Sequence, residues 1–473
     1  MGSTPTYGIC FQKLALKVSS GLLPARKRRL LTVHTALRLP STVRFYPISI
    51  VTTRKLFERR IIAVQPLNID AVRAKFPAIS QPGSPVFFDN PGGTQVPQSV
   101  IQAVTQCYVR TCANVGGAFN TSVGVVHTIN RARLAAAALL NAPNPTNIVF
   151  GNNMTSLTFH VARAVADTIQ PGDEIIVTDL DHDANVAPWL DLQAQGAVIK
   201  RMSLNSNDCT IDIGELTSLL TSRTRLLAIT AASNASGTIP DVNRAVKLAK
   251  SAGALTYVDA VQFAPHRATD VQQMGCDFLV CSAYKFFGPH VGILYGTDEV
   301  LNNLPRHKVR PAPALPPSSW ETGTQNHEGI AGTLAAIEHI AAPDAEVKPW
   351  NTSQELRNQI VESMSRMQSH EDSLCYTLID ALQEISGVRI LGITDPARRQ
   401  ERLSTVSFVW DRLSPRATTN KLAERGIYCW SGNYYAYQFM KSLGMDEGAI
   451  RVGPVHYNTL NEIDQLLETL KSL

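Results

Sequence analysis

The sequence predicts an α/β fold in which a mostly parallel sheet of seven strands lies between helices, followed by a smaller α+β unit. Short apolar runs alternate with helical patterns through the middle of the chain. The chain has 473 residues, of which 44% are hydrophobic and 18% are charged, so it can bury a large core in two domains. After residue 304 the alternation gives way to a proline-rich stretch and one long helical pattern.

Seven runs are predicted to form the large sheet, because each is short, apolar and bounded by turn residues. They are 147–150, Glu174–Thr178, 197–201, 226–231, Leu255–Asp259, Phe278–Ser282 and Gly292–Gly296. Apolar residues at helical spacing predict intervening helices at 156–166, 187–195, 213–220 and 241–252. Strands separated by helices of this length are typical of parallel pairing.

The C-terminal part is predicted to be a smaller α+β unit. A helix predicted at 352–385 is followed by apolar strands at 388–391 and 403–410 and by a closing amphipathic helix at 460–470. We therefore expect a large domain over 61–335, with an N-terminal arm, and a small domain over 336–473.

The first 60 residues form a separate basic extension. No Asp or Glu precedes Glu58, whereas ten Lys and Arg residues do. A basic, acid-free segment rich in Ser and Thr is typical of a mitochondrial transit peptide. The alternative is a poorly ordered tail, or a misassigned start, without a targeting role, in a cytoplasmic protein.

Charge and cysteine usage exclude several function classes. The ten N-terminal cations exceed the whole net charge of +5, so the remaining chain is slightly acidic and we expect no nucleic-acid partner. No apolar run approaches the roughly 20 residues of a membrane-spanning helix, so we expect no membrane partner. The eight cysteines form no CxxC pair and no zinc spacing, which indicates reduced thiols and no metal site.

The most informative feature is a carboxylate and an amine at the ends of two neighbouring strands. Asp259 ends one predicted strand, and Lys285 follows the next within Ser282-Ala283-Tyr284-Lys285. Such a pair can hold pyridoxal 5′-phosphate (PLP): the amine forms a Schiff base and the carboxylate pairs with the pyridinium nitrogen. Ser-x-x-Lys also occurs in serine β-lactamases, but there it opens a helix instead of following a strand.

Other strand ends add polar groups to the same expected edge of the sheet. His182 follows Glu174–Thr178 and could stack on a cofactor ring, although a histidine in a loop usually satisfies only local hydrogen bonds. Asn234 follows the next strand and could contact a phenolate or a substrate carboxylate. The turn at 151–156 could cradle a phosphate with backbone N–H groups at a helix N-terminus. The alternative there is an ordinary helix cap by Thr155 or Ser156.

With these motifs in order, the chain resembles the class V aminotransferase group of PLP enzymes over roughly residues 70–473. The resemblance is strongest to the branch of cysteine desulfurases and selenocysteine lyases. The matching motifs are Asp181-His182-Asp183-Ala184-Asn185 with Pro188-Trp189, Asn234 with Gly237-Thr238, Asp259-Ala260-Val261-Gln262, Cys276-Asp277-Phe278, Ser282 with Lys285-Phe286-Phe287-Gly288-Pro289, Gly323-Thr324-Gln325-Asn326, and Arg451 with Tyr457-Asn458-Thr459.

The resemblance implies the fold-type-I architecture of PLP-dependent transferases and a role for each matched residue. Lys285 would be the Schiff-base lysine, Asp259 the pyridinium partner and His182 the stacking residue. Asn234 and Gln262 would face the ring oxygen. The phosphate would be bound by Asn153, Met154, Thr155 and Ser282. The enzyme would be a homodimer with sites at its interface, and Thr324 of the neighbouring subunit would also reach the phosphate. The small amino-acid substrate would be bound by Asn114, Trp430, Tyr435 and Arg451, whose guanidinium suits a bidentate carboxylate.

The substrate side departs from the desulfurase pattern. The loop that carries the sulfur-accepting cysteine in desulfurases has Tyr435 at that position, and Cys429 lies earlier, near a strand end. Tyr284 and Asn120 also stand where histidines are expected. Without a thiol in place, persulfide formation has no nucleophile.

Three functions are therefore weighed. The first is a PLP-dependent lyase or transferase acting on a small α-amino acid through a Schiff base and a stabilised carbanion. It leaves open β-elimination, decarboxylation with or without C–C bond formation, epimerisation and transamination. The second is a true cysteine desulfurase that uses Cys429, and the third is a non-enzymatic scaffold.

Overall fold

The computed structural model describes residues 65–473 of the chain. The predicted basic extension at 1–60 lies outside the described residues, so its targeting role stays a prediction.

The large sheet contains the seven predicted strands. Its strands, in chain order, are β2 (Ile148–Gly151), β3 (Glu174–Thr178), β4 (Val198–Met202), β5 (Thr224–Thr230), β6 (Leu255–Asp259), β7 (Phe278–Ser282) and β8 (Gly292–Gly296). The spatial order is β2-β8-β7-β6-β5-β3-β4. The pairs from β4 to β7 are parallel, whereas β8 runs antiparallel to both β7 and β2. The prediction of a mostly parallel sheet in an α/β fold is confirmed.

Helices cover both faces of this sheet, because its strands are apolar on both faces. Val258 and Leu279 belong to one buried cluster, while their chain neighbours Tyr257 and Val280 belong to the cluster on the opposite face. The helices of this region are α2 (Gln98–Arg110), α3 (Asn120–Leu140), α4 (Met154–Ala166), α5 (Ala187–Leu190), α6 (Leu216–Leu219), α7 (Val242–Ser251), α8 (Val271–Met274), α9 (Asp298–Asn303) and α10 (His327–Ala341), after α1 (Ile69–Ala74).

Two of the predicted helices are shorter than their patterns suggested. The 187–195 pattern is one turn of α-helix, α5, followed by a 3-10 turn at Asp191–Gln195 that ends at Gly196, whose φ is 89°. The 213–220 pattern yields only α6, because the side chain of Asp212 accepts the N–H of Gly214 and forms a turn there.

The C-terminal region has a second, four-stranded antiparallel sheet, where only two strands were predicted. Its strands are β9 (Val388–Leu391), β10 (Val406–Trp410), β12 (Trp430–Gly432) and β13 (Ala449–Val452), in the order β12-β13-β10-β9. Its helices are α11 (Ser353–Gln383), α12 (Pro415–Glu424), α13 (Tyr437–Ser442) and α14 (Leu460–Ser472). Thr352 and Glu355 form a capping box that starts α11. Strands β12 and β13 were not predicted, because each is only three or four residues long and gives too short a pattern.

One contact of strands joins distant parts of the chain. Strand β1 (Val86–Phe87) pairs in parallel with β11 (Ile427–Tyr428), not with the large sheet. The turn after β1 is thereby held beside the C-terminal sheet. The predicted domain boundary between 335 and 336 falls within α10, and the division itself stays a prediction. Among the described residues, no helix is both long and apolar enough to cross a membrane.

Candidate active site

A cavity of about 740 Å³ lies at the edge of the large sheet where parallel strands β3, β5, β6 and β7 end. This is the edge at which α/β sheets bind ligands. Ten of the sequence-predicted site residues line it: Met154, Thr155, His182, Asn234, Asp259, Gln262, Lys285, Trp430, Tyr435 and Arg451. The strand-end motifs therefore meet at one place, as the sequence predicted.

Asp259 is a buried carboxylate that forms no ion pair with the residues the structure describes. It is the last residue of β6, and its Oδ1 accepts the N–H of Val261 at 2.8 Å. Its Oδ2 accepts no hydrogen bond from the described residues. Burial raises the pKa of Asp259 from 3.8 to about 6, against the smaller opposing effects of that hydrogen bond and of Lys285. A cation placed against Oδ2 would restore the ionised form.

Lys285 follows β7 on a 3-10 turn at Ala283–Lys285. Its Nζ donates to the backbone oxygens of Pro91 and, at 3.0 Å, Gly92, in the turn after β1. Burial, and then the charge of Arg451, lower the pKa of this amine from 10.5 to about 7. A large fraction of Lys285 is therefore a free amine at neutral pH, which is the form that attacks carbonyl carbon.

His182 is held as a neutral ring. Its Nδ1 accepts the N–H of Ala184 at 2.9 Å, so the ring proton lies on Nε2. Burial, followed by the charges of Lys285 and Arg451, lowers the pKa of His182 to about 4. Its ring stacks against Tyr435, with 5.7 Å between ring centroids and 24° between ring planes. A neutral imidazole of fixed tautomer suits stacking, and at neutral pH it is not a cationic acid.

The N-terminus of α4 forms another wall of the cavity. Asn153 caps this helix, with its Oδ1 accepting the N–H of Ser156 at 2.9 Å. The N–H of Met154 donates to Ser282 Oγ at 3.0 Å, so β7 and α4 are joined below the cavity. Gly292 permits this approach, because a Cβ there would lie 2.5 Å from the carbonyl carbon of Asn153. Asn153 and Ser282 support this wall without lining it.

Arg451, on β13, is buried with incomplete hydrogen bonding. One terminal nitrogen, Nη1, donates to the backbone oxygen of Asn234 at 3.1 Å, and the other, Nη2, lies 3.2 Å from Asp89 Oδ1. The guanidinium carbon lies 4.3 Å from the ring centroid of Tyr434. The buried Nε has no partner in the described part of the chain.

Asn234 shows a similar gap in its hydrogen bonding. Its Nδ2 donates to the backbone oxygen of Tyr434 at 2.8 Å, while its buried Oδ1 accepts no hydrogen bond from the described residues. Gln262 donates from Nε2 to the backbone oxygen of Pro91 at 2.8 Å. Both amides face the cavity between Lys285 and the C-terminal sheet.

The loop at 430–436 forms the outer wall. Tyr434 and Tyr435 both have a left-handed backbone, with φ of 56° and 59°. The N–H of Tyr435 donates to Asn433 Oδ1, and its carbonyl accepts the N–H of Asp183 at 2.7 Å. Trp430 and Tyr435 remain 57% and 75% exposed, so two aromatic rings stand at the mouth of the cavity.

Besides Asn153 and Ser282, two predicted site residues do not line the cavity. Asn114 lies in the loop between α2 and α3, and Thr324 lies in the loop before α10; both are exposed. Thr324 was expected to act on a neighbouring subunit, so a single chain leaves its role a prediction. The role of Asn114 stays a prediction as well.

The structure also adds a residue that sequence reasoning missed. Asp89 lines the cavity and pairs with Arg451. Its position was visible in the sequence as a carboxylate directly after an apolar run, and a carboxylate at the end of an apolar strand is also what identified Asp259. Its partner is 362 residues away, which no local pattern indicates.

The groups around the cavity fit PLP. They are a buried carboxylate that needs a cation, an amine with a pKa near 7, a neutral flat ring, a helix N-terminus and two buried polar atoms without partners. The carboxylate matches the ring nitrogen of the cofactor, the amine matches its aldehyde, and the neutral ring matches its ring face. The helix N-terminus matches the phosphate, and the two unpartnered polar atoms match the remaining polar groups of the cofactor or substrate. The fold and cavity thus define the class of protein, a PLP-dependent enzyme of fold type I.

Comparison with known proteins identifies the family. The family model described as aminotransferase class-V matches residues 86–466, so the chain belongs to the class-V aminotransferase family and depends on PLP. It is 33% identical over 413 residues to cysteine desulfurase CsdA of Escherichia coli, covering 84% of this chain and 96% of that protein. It is 32% identical to the aminotransferase-like protein FGM3 of Gibberella zeae, covering 85% and 98%.

Other matches differ in length or are solved structures. A probable cysteine desulfurase of Mycolicibacterium paratuberculosis is 31% identical, and the match spans 86% of this chain but 58% of that protein. The crystal structure of CsdA from Escherichia coli, as the S-sulfonic acid, superposes with a TM-score of 0.75 at 30% identity, covering 86% of this chain and 98% of that one. The apo cysteine desulfurase of Thermococcus onnurineus gives 0.76 at 26% identity, with the same coverage. Both support the cysteine desulfurase-like branch.

Proposed function

We propose that this chain acts on a small α-amino acid as a PLP-dependent lyase or transferase that lacks the usual sulfur-accepting cysteine. The observation that carries the proposal is the composition of the cavity. The amine of Lys285, the carboxylate of Asp259 and the guanidinium of Arg451 line it together, while the loop at its mouth presents Tyr435. The first three groups are those a PLP enzyme needs, and the fourth is not a thiol.

The residues that would hold the cofactor surround the cavity. Asp259 would face its ring nitrogen, Lys285 its aldehyde carbon, His182 its ring face, and the α4 N-terminus with Thr155 its phosphate. When bound, PLP supplies an electron sink for negative charge at the α-carbon of the substrate.

Lys285 is the proposed general base. With a pKa near 7 it can take a proton from the substrate α-carbon and return it near neutral pH. The two carbonyl contacts, to Pro91 and Gly92, hold its Nζ on the side of the turn after β1. His182 cannot replace it as a cationic acid, because its pKa is near 4.

Arg451 would bind the carboxylate of the substrate, and Trp430 and Tyr435 would enclose its side chain. Binding by these residues decides which bond at the α-carbon stands perpendicular to the cofactor ring. β-Elimination, epimerisation, transamination, and decarboxylation with or without C–C bond formation are the outcomes compatible with this set of groups.

The proposal is tested by the visible absorbance band of bound PLP in the purified protein. We expect the band in the wild type and in Lys421→Ala, an exposed lysine on α12, and its loss in Lys285→Ala. Amino acids are then screened for changes in the band, and their products are identified by mass. A colourless wild type would contradict the proposal, and a band that no amino acid perturbs would contradict the role of Arg451.

A cysteine desulfurase that uses Cys429 is the second candidate, favoured by the names of the relatives. Cys429 is half-buried and absent from the cavity lining, and burial together with Asp89 raises the pKa of its thiol to about 12. A thiol in that environment is a poor nucleophile. These observations favour the first candidate.

Sulfide release from cysteine distinguishes the two candidates. We expect Cys429→Ala and the matched control Cys112→Ala, an exposed cysteine beyond α2, to behave like the wild type. Loss of sulfide release in Cys429→Ala alone would establish the desulfurase instead.

We also propose that the chain forms a homodimer. Four large apolar side chains at the end of α2 and the start of α3 are more than half exposed: Tyr108, Val109, Phe119 and Val123. Apolar exposure of this kind is typical of a protein interface. The test is the molar mass in solution by light scattering, where Val109→Glu with Val123→Glu is expected to give a monomer and the wild type a dimer. A monomeric wild type would contradict this.

A further inference from the structure

The contact between Asp89 and Arg451 occupies the guanidinium that the proposed function assigns to the substrate. The Arg451 side chain is 5% exposed and the Asp89 side chain is 30% exposed. Among the described residues, Asp89 is the acidic residue paired with Arg451. A carboxylate of the chain itself therefore stands where a substrate carboxylate is expected.

This contact leaves Arg451 incompletely satisfied. Asp89 meets only Nη2, at 3.2 Å, and the buried Nε has no acceptor. Arginine binds carboxylates best through two parallel N–H···O bonds. A carboxylate that reached both Nε and Nη2 would satisfy an atom that Asp89 leaves without a partner, so exchange of one carboxylate for the other is favoured.

The backbone of Asp89 is fixed, so only its side chain needs to turn. The carbonyl of Asp89 accepts the N–H of Gly92 at 2.9 Å. The buried side chain of Asn90 donates to the backbone oxygens of Phe87 and Gly453. The partly exposed carboxylate of Asp89 has room to leave Arg451, whereas the turn that carries it stays in place.

The same turn contacts the reactive amine. The carbonyls of Pro91 and Gly92, two and three residues after Asp89, accept hydrogen bonds from Lys285 Nζ. The charge of Asp89 raises the pKa of Lys285, whereas the charge of Arg451 lowers it. Asp89 thus lies between the proposed carboxylate site and the proposed base.

We propose that Asp89 is a positioning residue that occupies Arg451 in the substrate-free enzyme and is displaced by the carboxylate of the substrate. It holds the guanidinium in place over Tyr434 and weakens carboxylate binding by competing for it. This inference rests on the proposed role of Arg451 as the substrate-carboxylate site.

The test uses the PLP-loaded enzyme and propanoate, an unreactive carboxylate, with uncharged propanamide as its control. Binding is followed by calorimetry and by the change in the visible band. We expect Asp89→Asn to bind propanoate about fivefold more tightly, the factor that corresponds to about 1 kcal/mol of lost competition. Propanamide binding stays the same, because no charge is exchanged at Arg451.

Asp183→Asn is the matched variant, since it removes an acidic side chain that lines the same cavity but has no contact with Arg451. We expect it to change propanoate affinity less than twofold. If Asp89 has only a structural role, Asp89→Asn should weaken the binding of both propanoate and propanamide or of neither. It should not tighten the binding of propanoate alone. If the asparagine side chain of Asp89→Asn still contacts Arg451, the test is repeated with Asp89→Ala, which has neither the carboxylate nor the amide.

Arg451→Gln separates the two ideas. If this variant loses propanoate binding and Asp89→Asn binds no more tightly than the wild type, the competition by Asp89 is wrong and the carboxylate site stands. If propanoate binds the wild type and Arg451→Gln equally, or binds neither, then Arg451 is not the carboxylate site and both ideas are wrong.

Discussion

Replacement of Asp259 by asparagine is expected to stabilise the cofactor-free protein while weakening its affinity for PLP. Burial raises the pKa of Asp259 from 3.8 to about 6, so above pH 6 folding must keep a buried charge that forms no ion pair within residues 65–473. The native state binds the proton more tightly than the unfolded state. Asp259 therefore contributes stability below pH 4 that is lost as the pH rises through 6.

The magnitude follows from the two pKa values. The pKa values of Asp259 in the unfolded and folded states differ by about 2 units, and each unit is worth about 1.4 kcal/mol. The ionised carboxylate therefore costs about 3 kcal/mol of folding stability at pH 7.5. Asparagine has nearly the same shape, keeps the acceptor for the N–H of Val261 and carries no charge. For a cooperative unit of about 400 residues, 3 kcal/mol raises the unfolding temperature by about 3 °C.

The assay is thermal unfolding of the cofactor-free wild type and Asp259→Asn at pH 7.5, with PLP affinity measured on the same samples. The variant is expected to unfold at the higher temperature. It is also expected to bind PLP about a hundredfold more weakly, since the ring nitrogen of PLP loses a charged partner. Asp277→Asn is the control of opposite sign. Asp277 is buried but accepts from Lys250 Nζ and from the N–H and hydroxyl of Thr256, so its loss should destabilise the protein.

A cofactor-free Asp259→Asn that is no more stable than the wild type at pH 7.5 would show that the buried charge of Asp259 does not destabilise the fold. The same conclusion would follow if the stability advantage of the variant did not shrink at pH 5, where part of the wild-type carboxyl is protonated.

Two further results are expected from other buried groups. The rate at which the visible band appears after PLP is added should rise with pH, with a midpoint near pH 7, because Lys285 reacts as the free amine. Arg451→Gln should move this midpoint to higher pH, because the charge of Arg451 lowers the pKa of Lys285. An unchanged midpoint would contradict that effect of Arg451. His339 and His456 lie 3.0 Å apart through their Nε2 atoms, and burial lowers the pKa of both, that of His339 to about 3. Below pH 6.5 the unfolded state alone takes up these protons, so for His339 stability should fall by about 1.4 kcal/mol per pH unit down to about pH 3, and His456 should add to the fall. A slope that His339→Gln does not reduce would contradict this.

The sequence predicted those parts of the site that are fixed by local order. Each of Asp259, Lys285 and His182 follows an apolar strand, and parallel strands end at one edge of a sheet. Knowing the strands was therefore enough to bring the three side chains together. The cap of α4 is also a local contact, but the sequence indicated Thr155 or Ser156 for it, whereas the structure places it at Asn153, whose side chain accepts the N–H of Ser156.

Contacts between distant segments could not be predicted in this way. The pairing of β1 with β11 joins residues more than 300 positions apart, and so does the ion pair of Asp89 with Arg451. Neither leaves a periodic pattern, because each depends on how the C-terminal sheet packs against the turn after β1. The antiparallel direction of β8 was missed for the same reason, since an apolar run has no direction of its own.

The α/β architecture, the proposed PLP-binding pair and the tyrosine at position 435 could be read from the order of the amino acids alone. Hydrophobic period, strand ends and residue identity are local properties of the chain. The state of those groups depends on packing: an aspartate with its pKa raised to about 6, a lysine with its pKa lowered to about 7 and an arginine already holding an internal carboxylate. These follow from burial and from charges brought close by packing, because desolvation and Coulomb energy depend on distances through space, not on positions along the chain.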